Sequence, residues 1–218
     1  MKKIVTQSMI VSFALVLMVL FAGVGFAKEN SFSLTDEEKI ELANKLWGTD
    51  ITYGEYIEQV FPDAYEKSPD TPTKTFYDMK VIWMDPSAEV SESKQIFTAT
   101  GEDTKSVPYL GVADSELSYA SSKITYKTWQ RMVLPTPYTR IPSMTILTHL
   151  WRDNGNTEII GIKYAQGSNV YSLEAKNTYS NPAPAYYRVI GQYSGVFPSG
   201  VTPPGYNGVS STDWVYIS

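Results

Sequence analysis

The sequence predicts a mainly β protein, an antiparallel β-sandwich with a short N-terminal helical hairpin. Three observations lead there. From residue 122 onward, stretches of alternating apolar and polar side chains recur between turn signals, with no helical period among them. The strongest hairpin signal of the chain, Asp153-Asn154-Gly155-Asn156, joins two such stretches. Finally, 16 Tyr, 5 Trp and 13 Pro in a chain of modest charge are the balance of a β-rich extracellular protein. Apolar faces must leave water, so two sheets are expected to pack together.

Residues 1–27 read as a signal peptide. Lys2 and Lys3 give a positive start, residues 10–22 an apolar run, and Gly25-Phe26-Ala27 the small residues a signal peptidase prefers. A retained N-terminal anchor is the alternative, weakened by Thr6, Gln7, Ser8 and Ser12. Cleavage after Ala27 takes 27 of 218 residues and leaves 191, enough for one domain with a buried core. The expected product is secreted or held at the cell envelope, without stable membrane insertion. With no cysteine there is neither a lipid-modified N-terminus of the bacterial lipoprotein type nor any disulfide, so the fold must stand on its core. Sixteen basic residues then face 23 acidic ones, a formal charge of −7, which argues against nucleic acid and anionic lipid as partners.

A helical element is expected over residues 28–67. Thr35 is an N-cap with Glu38 completing a capping box, and Ile40, Ala43 and Trp47 form an apolar stripe before Gly48. A second helix starts at Thr52, with Glu55 as its box partner, and Pro62 stops it. Its apolar stripe must be covered, so the pair is expected to pack over one end of the sheet. A partner-binding or propeptide-like arm is the functional alternative.

The sandwich is assigned to residues 68–218. After a Pro-rich linker at 68–73, residues 76–84 read as the first strand, 86–94 as a solvated loop and 95–100 as a short strand. A turn follows at 101–106, and 109–121 fits a loop or a short strand. Residues 122–134 alternate well: Ile124, Tyr126, Met132 and Leu134 take one face, Lys123, Lys127, Trp129 and Arg131 the other. A Pro-rich connection holding Tyr138 and Arg140 leads to the central hairpin, residues 143–164. There Met144, Ile146, Thr148 and Leu150 are the core candidates, leaving His149 and Trp151 on the opposite face. Gly161 marks a bulge or a close backbone approach. Gly167-Ser168-Asn169 turns into a strand over 170–179, Asn181-Pro182-Ala183-Pro184 turns again, and 186–193 forms the next strand. A Pro/Gly loop surrounds Tyr206, and a last strand at 214–217 closes an edge.

Most catalytic signatures are missing. Without cysteine there is no thiol nucleophile or thiolate metal site, and one histidine cannot make a paired-His zinc helix. A triad could run only through His149, and no Gly-x-Ser-x-Gly elbow or P-loop occurs. Paired carboxylates are the enzymatic alternative: a secreted glycoside hydrolase using Glu158 and Glu174. Asp153, Asn156 and Glu158 loosely resemble part of a calcium loop, but the hairpin accounts for those residue types, so neither a metal nor a cofactor is expected. What remains is a non-catalytic binding role on an aromatic and basic sheet face. Trp129, Arg131, Tyr138, His149, Trp151, Glu174 and Arg188 are its candidates, with a cell-wall glycan or an extracellular protein as partner. A bacteriocin-like secreted protein is a third class.

Overall fold

In a computed structural model, residues 33–67, 77–89, 94–101, 108–136 and 138–218 are described. The expected signal peptide, the start of the helical arm at 28–32, the linker at 68–73 and most of the turn at 101–106 lie outside them. Two antiparallel sheets pack face to face as the expected β-sandwich. Strands β1 (Gln95–Gly101), β2 (Tyr109–Ala120), β3 (Lys123–Leu134), β6 (Ser172–Ser180) and β8 (Val201–Thr202) make the first, in the order β6-β3-β2-β1-β8. Strands β4 (Ile141–Asp153), β5 (Thr157–Val170), β7 (Ala185–Val196) and β10 (Val215–Ile217) make the second, ordered β10-β7-β4-β5, while β9 (Gly205–Ser211) also pairs with β7.

Both predicted capping boxes form. Thr35 caps α1 (Asp36–Leu46) and Thr52 caps α2 (Tyr53–Val60), each hydroxyl accepting from the backbone N–H of the box Glu. Gly48 follows α1 with a φ of +76°. Pro62 ends α2 and also opens a further short helix, α3 (Pro62–Glu66), because a proline at the first helical position lacks only an N–H that would be unbonded anyway.

The central hairpin is the backbone of the second sheet. β4 pairs β5 on one side and β7 on the other, and Gly155 sits in the turn with φ +99°. Register shifts after Leu150, where Leu150 faces Gly161 and Trp151 faces Ile159, so the bulge falls beside the glycine. A close approach is there too: a Cβ on Gly161 would lie 2.6 Å from Tyr126 Oη. Ile146, Leu150 and Val189 meet Ile124, Tyr126 and Met132 of the first sheet between the layers. The opposite face of β4 is buried as well, under α1, α2 and residues 77–84, through Leu147, Trp151, Ile159, Ile162 and Ile190.

Four expectations are corrected. Residues 77–84 are not a strand. They make one isolated bridge, Thr52 to Lys80, with Tyr53 N donating to Met79 O and Val81 N to Ile51 O. Val81 is buried and Tyr77, Met79, Trp83 and Met84 pack half-buried in the same cluster as the helices. Residues 109–120 are a full strand, joined to β3 by Ser121 and Ser122 at φ +50° and +58°. β5 runs through 167–169 to Val170, and the chain changes sheets at Tyr171. The Pro/Gly stretch around Tyr206 holds β8 and β9, and Tyr206 is itself buried, its hydroxyl donating to Gln130.

Candidate functional site

The outer face of the first sheet positions one group of the candidates. β3 lies between β2 and β6, so each outward residue has a neighbour on either side. Trp129 stands opposite Asp114 and Glu174, Lys127 opposite Glu116 and Lys176, Arg131 opposite Val112 and Ser172. Parity does the rest. Ile124, Tyr126, Thr128, Gln130 and Met132 point into the sandwich, whereas Lys127 and Trp129 are half-buried and Arg131 and Glu174 exposed.

Polar bonds tie this row together. Trp129 Nε1 donates to Glu116 Oε1 at 2.7 Å, and the Arg131 guanidinium carbon lies 5.6 Å from the indole centroid. Lys127 Nζ reaches Glu116 at 3.0 Å and Glu174 at 3.7 Å. Partial burial alone would lower the Lys127 ammonium, but the hydrogen bonds and charges of Glu116 and Glu174 outweigh it and hold its pKa above the ordinary value. These groups line an open groove of about 510 Å³ together with Ser172. It offers a flat aromatic surface ringed by donors and acceptors, in which two cations balance two carboxylates.

His149 and Trp151 do not join it. They occupy the outer face of the other sheet, where the sequence places them, but the helical layer covers that face. Trp151 is 3% exposed and packs edge-on against Trp47, ring centroids 4.5 Å apart. His149 is fully buried and shares a 3.0 Å hydrogen bond with Tyr56 Oη. Burial pushes the imidazole down to about 3, offset slightly by the Ile190 backbone. Both side chains therefore serve the packing of α1 and α2, and the absence of any Asp, Glu, Lys or Arg on β4 before Arg152 is the signal that both its faces are covered.

Arg188 is also buried, at 1% exposure, two residues from Ile190 on β7. Its Nη1 donates to the carbonyls of Pro86 and Ala88, and Nη2 to Ser211 Oγ at 2.9 Å. Burial lowers its pKa, with Asp213 and Asp85 opposing. Tyr138 is 69% exposed in the loop before β4, its ring edge-on to Tyr171, one residue ahead of Ser172.

The two carboxylates of the hydrolase alternative stand on different sheets. Glu158 faces Arg152 across the β4–β5 hairpin and forms an ion pair with it, while Glu174 is held by Lys127. In the hairpin turn, Asp153 Oδ1 accepts from Gly155 N at 2.8 Å and Asn154 Oδ1 from Asn156 N at 3.4 Å, so these oxygens serve the turn.

Glu116, a member of the groove, and Asp114, the β2 neighbour of Trp129, were missed, as was Ser172. Alternation of Val112, Asp114, Glu116 and Ser118 with Gly111, Ala113, Ser115 and Leu117 carries the signal for the first two, but Ser115 and Gly111 blur its apolar half. Neither a family model nor a curated protein matches the chain.

Proposed function

We propose that the chain is an exported, non-catalytic glycan-binding protein that takes its ligand on the open face of the first sheet. One observation carries the reading. Trp129, Arg131 and Glu174 come together with Lys127 and Glu116 in one groove, and all five side chains stay half-exposed or exposed. A sugar ring presents an apolar C–H face to an indole while its hydroxyls donate to carboxylates and accept from cations. Lys127 and Arg131 match Glu116 and Glu174 in charge, so a neutral glycan suits the groove better than an acidic one. Export rests on the leader-like residues 1–27.

The test is titration of the purified chain with cellohexaose, chitohexaose and xylohexaose, followed by calorimetry. Saturable binding that Trp129→Ala weakens at least tenfold, with unchanged circular dichroism, is the expected result. Tenfold corresponds to about 1.4 kcal/mol, in the range of one aromatic contact. Absence of saturation with all three sugars, or equal affinity in the variant, overturns the reading.

A further inference from the structure

The polar groups of the Trp129 groove divide into those the protein engages for itself and those it leaves to a ligand. Glu116 belongs to the first set: Oε1 accepts from Trp129 Nε1 at 2.7 Å, and Oε2 lies 3.0 Å from Lys127 Nζ. The one N–H of the indole is thereby used, and the ring is anchored. Lys127 is shared between Glu116 and Glu174.

Arg131 and Ser172 stand outside this network. They are register partners on β3 and β6, both exposed and both lining the groove. Among the described residues neither side chain makes a hydrogen bond or an ion pair. The Arg131 guanidinium lies over the indole, 5.6 Å from its centroid, and its N–H donors point to no protein acceptor. Glu174 engages Lys127 through one oxygen, at 3.7 Å, and its other oxygen has no partner among the described residues.

Register turns this surplus into a pattern. Glu174 stands opposite Trp129 and Ser172 opposite Arg131, so Arg131 and Glu174 are diagonal neighbours across the β3–β6 ladder, about 7–8 Å apart at Cα. Side chains of that length reach across such a diagonal, yet no Arg131–Glu174 ion pair closes within 4.0 Å among the described residues. A charged donor and a charged acceptor therefore border the indole with a gap between them.

We infer that this gap reads an acetamido group, so that the ligand is a polymer of N-acetylated hexosamine. The inference rests on the glycan reading of the groove and narrows it. An acetamido group is neutral and carries its acceptor and its donor on different atoms of one plane, the carbonyl oxygen and the N–H pointing in opposite directions. The carbonyl accepts from Arg131, the N–H donates to the free oxygen of Glu174, and the plane lies on the indole. Ser172 serves a neighbouring hydroxyl. A hydroxyl in place of the acetamido group offers a single atom for both contacts, with neither the plane nor the methyl group to cover Trp129. Both bonds to the amide involve an ionised protein group, the stronger kind of hydrogen bond, so their loss is readily measured.

The experiment compares chitohexaose with cellohexaose, which shares its backbone and linkage and has a hydroxyl in place of each acetamido group. Both are titrated by calorimetry into the purified chain and into Trp129→Ala, Arg131→Met and Glu174→Met, with circular dichroism to verify the fold. Chitohexaose is expected to bind the parent at least tenfold more tightly than cellohexaose. Arg131→Met keeps an apolar stem over the indole and removes the donors, while Glu174→Met removes the acceptor. Each should bring the ratio of the two affinities below about threefold. In saturation-transfer NMR the acetyl methyl protons should be the most strongly saturated of the sugar. Equal affinity for the two sugars, with Trp129→Ala weakening both, overturns the inference and leaves the glycan reading standing. A preference that survives both methionine variants overturns it as well. So does an N-acetylated tetra-alanine peptide that binds as tightly as chitohexaose, since a bare amide would then suffice. No saturation with either sugar removes the glycan reading and this inference together.

Discussion

Lowering the pH should loosen this fold through a single side chain, His149. Its ring neighbours are Tyr56 and Trp47, neither of which carries a charge to stabilise an imidazolium. Folding holds the group at a pKa of about 3, against 6.5 in the unfolded chain. The unfolded state therefore binds the extra proton first. Stability is intact above pH 6.5 and falls by about 1.4 kcal/mol per pH unit as acidity rises toward pH 3. At pH 5 the loss is about 2 kcal/mol, and the full depression is worth on the order of 5 kcal/mol. That equals a large share of the stability of an ordinary domain. Guanidinium unfolding at pH 7.5 and pH 5.0 measures it. The parent chain is expected to lose about 2 kcal/mol between the two, and His149→Phe, less stable at both, to lose far less. Exposed Glu55, lowered by the Thr52 backbone, and Asp85, lowered by the Ser87 hydroxyl, lose their contributions only at more acid pH, and equally in both chains. An equal pH dependence in parent and variant refutes the argument.

Two further outcomes are expected. Asn44 donates to Ile159 O and accepts from Ile159 N, both at 2.8 Å, so its amide occupies the edge of β5 as a neighbouring strand would. Asn44→Ala should cost about 1–3 kcal/mol in urea unfolding, and a loss below about 0.5 kcal/mol would show that water replaces it freely. Expressed in a bacterial host with its first 27 residues, the chain should be recovered outside the cytoplasm with an intact mass starting at Lys28. Membrane-bound material that retains those residues would show an anchor instead.

Elements whose cause is local could be read from residues alone. Thr35 with Glu38 and Thr52 with Glu55 each close a hydrogen-bonded box within four residues, and no distant contact is needed to specify it. Asp153 through Asn156 specify their own turn in the same way. The facing of β3 was legible because its two faces differ in character, uncharged inward and carrying Lys123, Lys127, Trp129 and Arg131 outward. Residues 77–84 misled for the complementary reason. Val81, Trp83 and Met84 suit a strand, but strand pairing needs a neighbour, and among the described residues only Thr52 supplies one. The turn at Ser121-Ser122 escaped because serine is an uncommon choice for two positive φ angles in succession.

The sequence by itself determined the fold class, both helix starts, the central hairpin and the inward or outward sense of Trp129, Arg131 and Glu174, since each follows from side-chain period or near-neighbour hydrogen bonding. Only the tertiary structure decided what covers each outward face. On β4 the helices bury His149 and Trp151, on β3 the same parity leaves Trp129 beside an open groove, and Arg188 is enclosed by a loop a hundred residues earlier in the chain. Parity is a property of one strand, whereas burial depends on which distant segment reaches it.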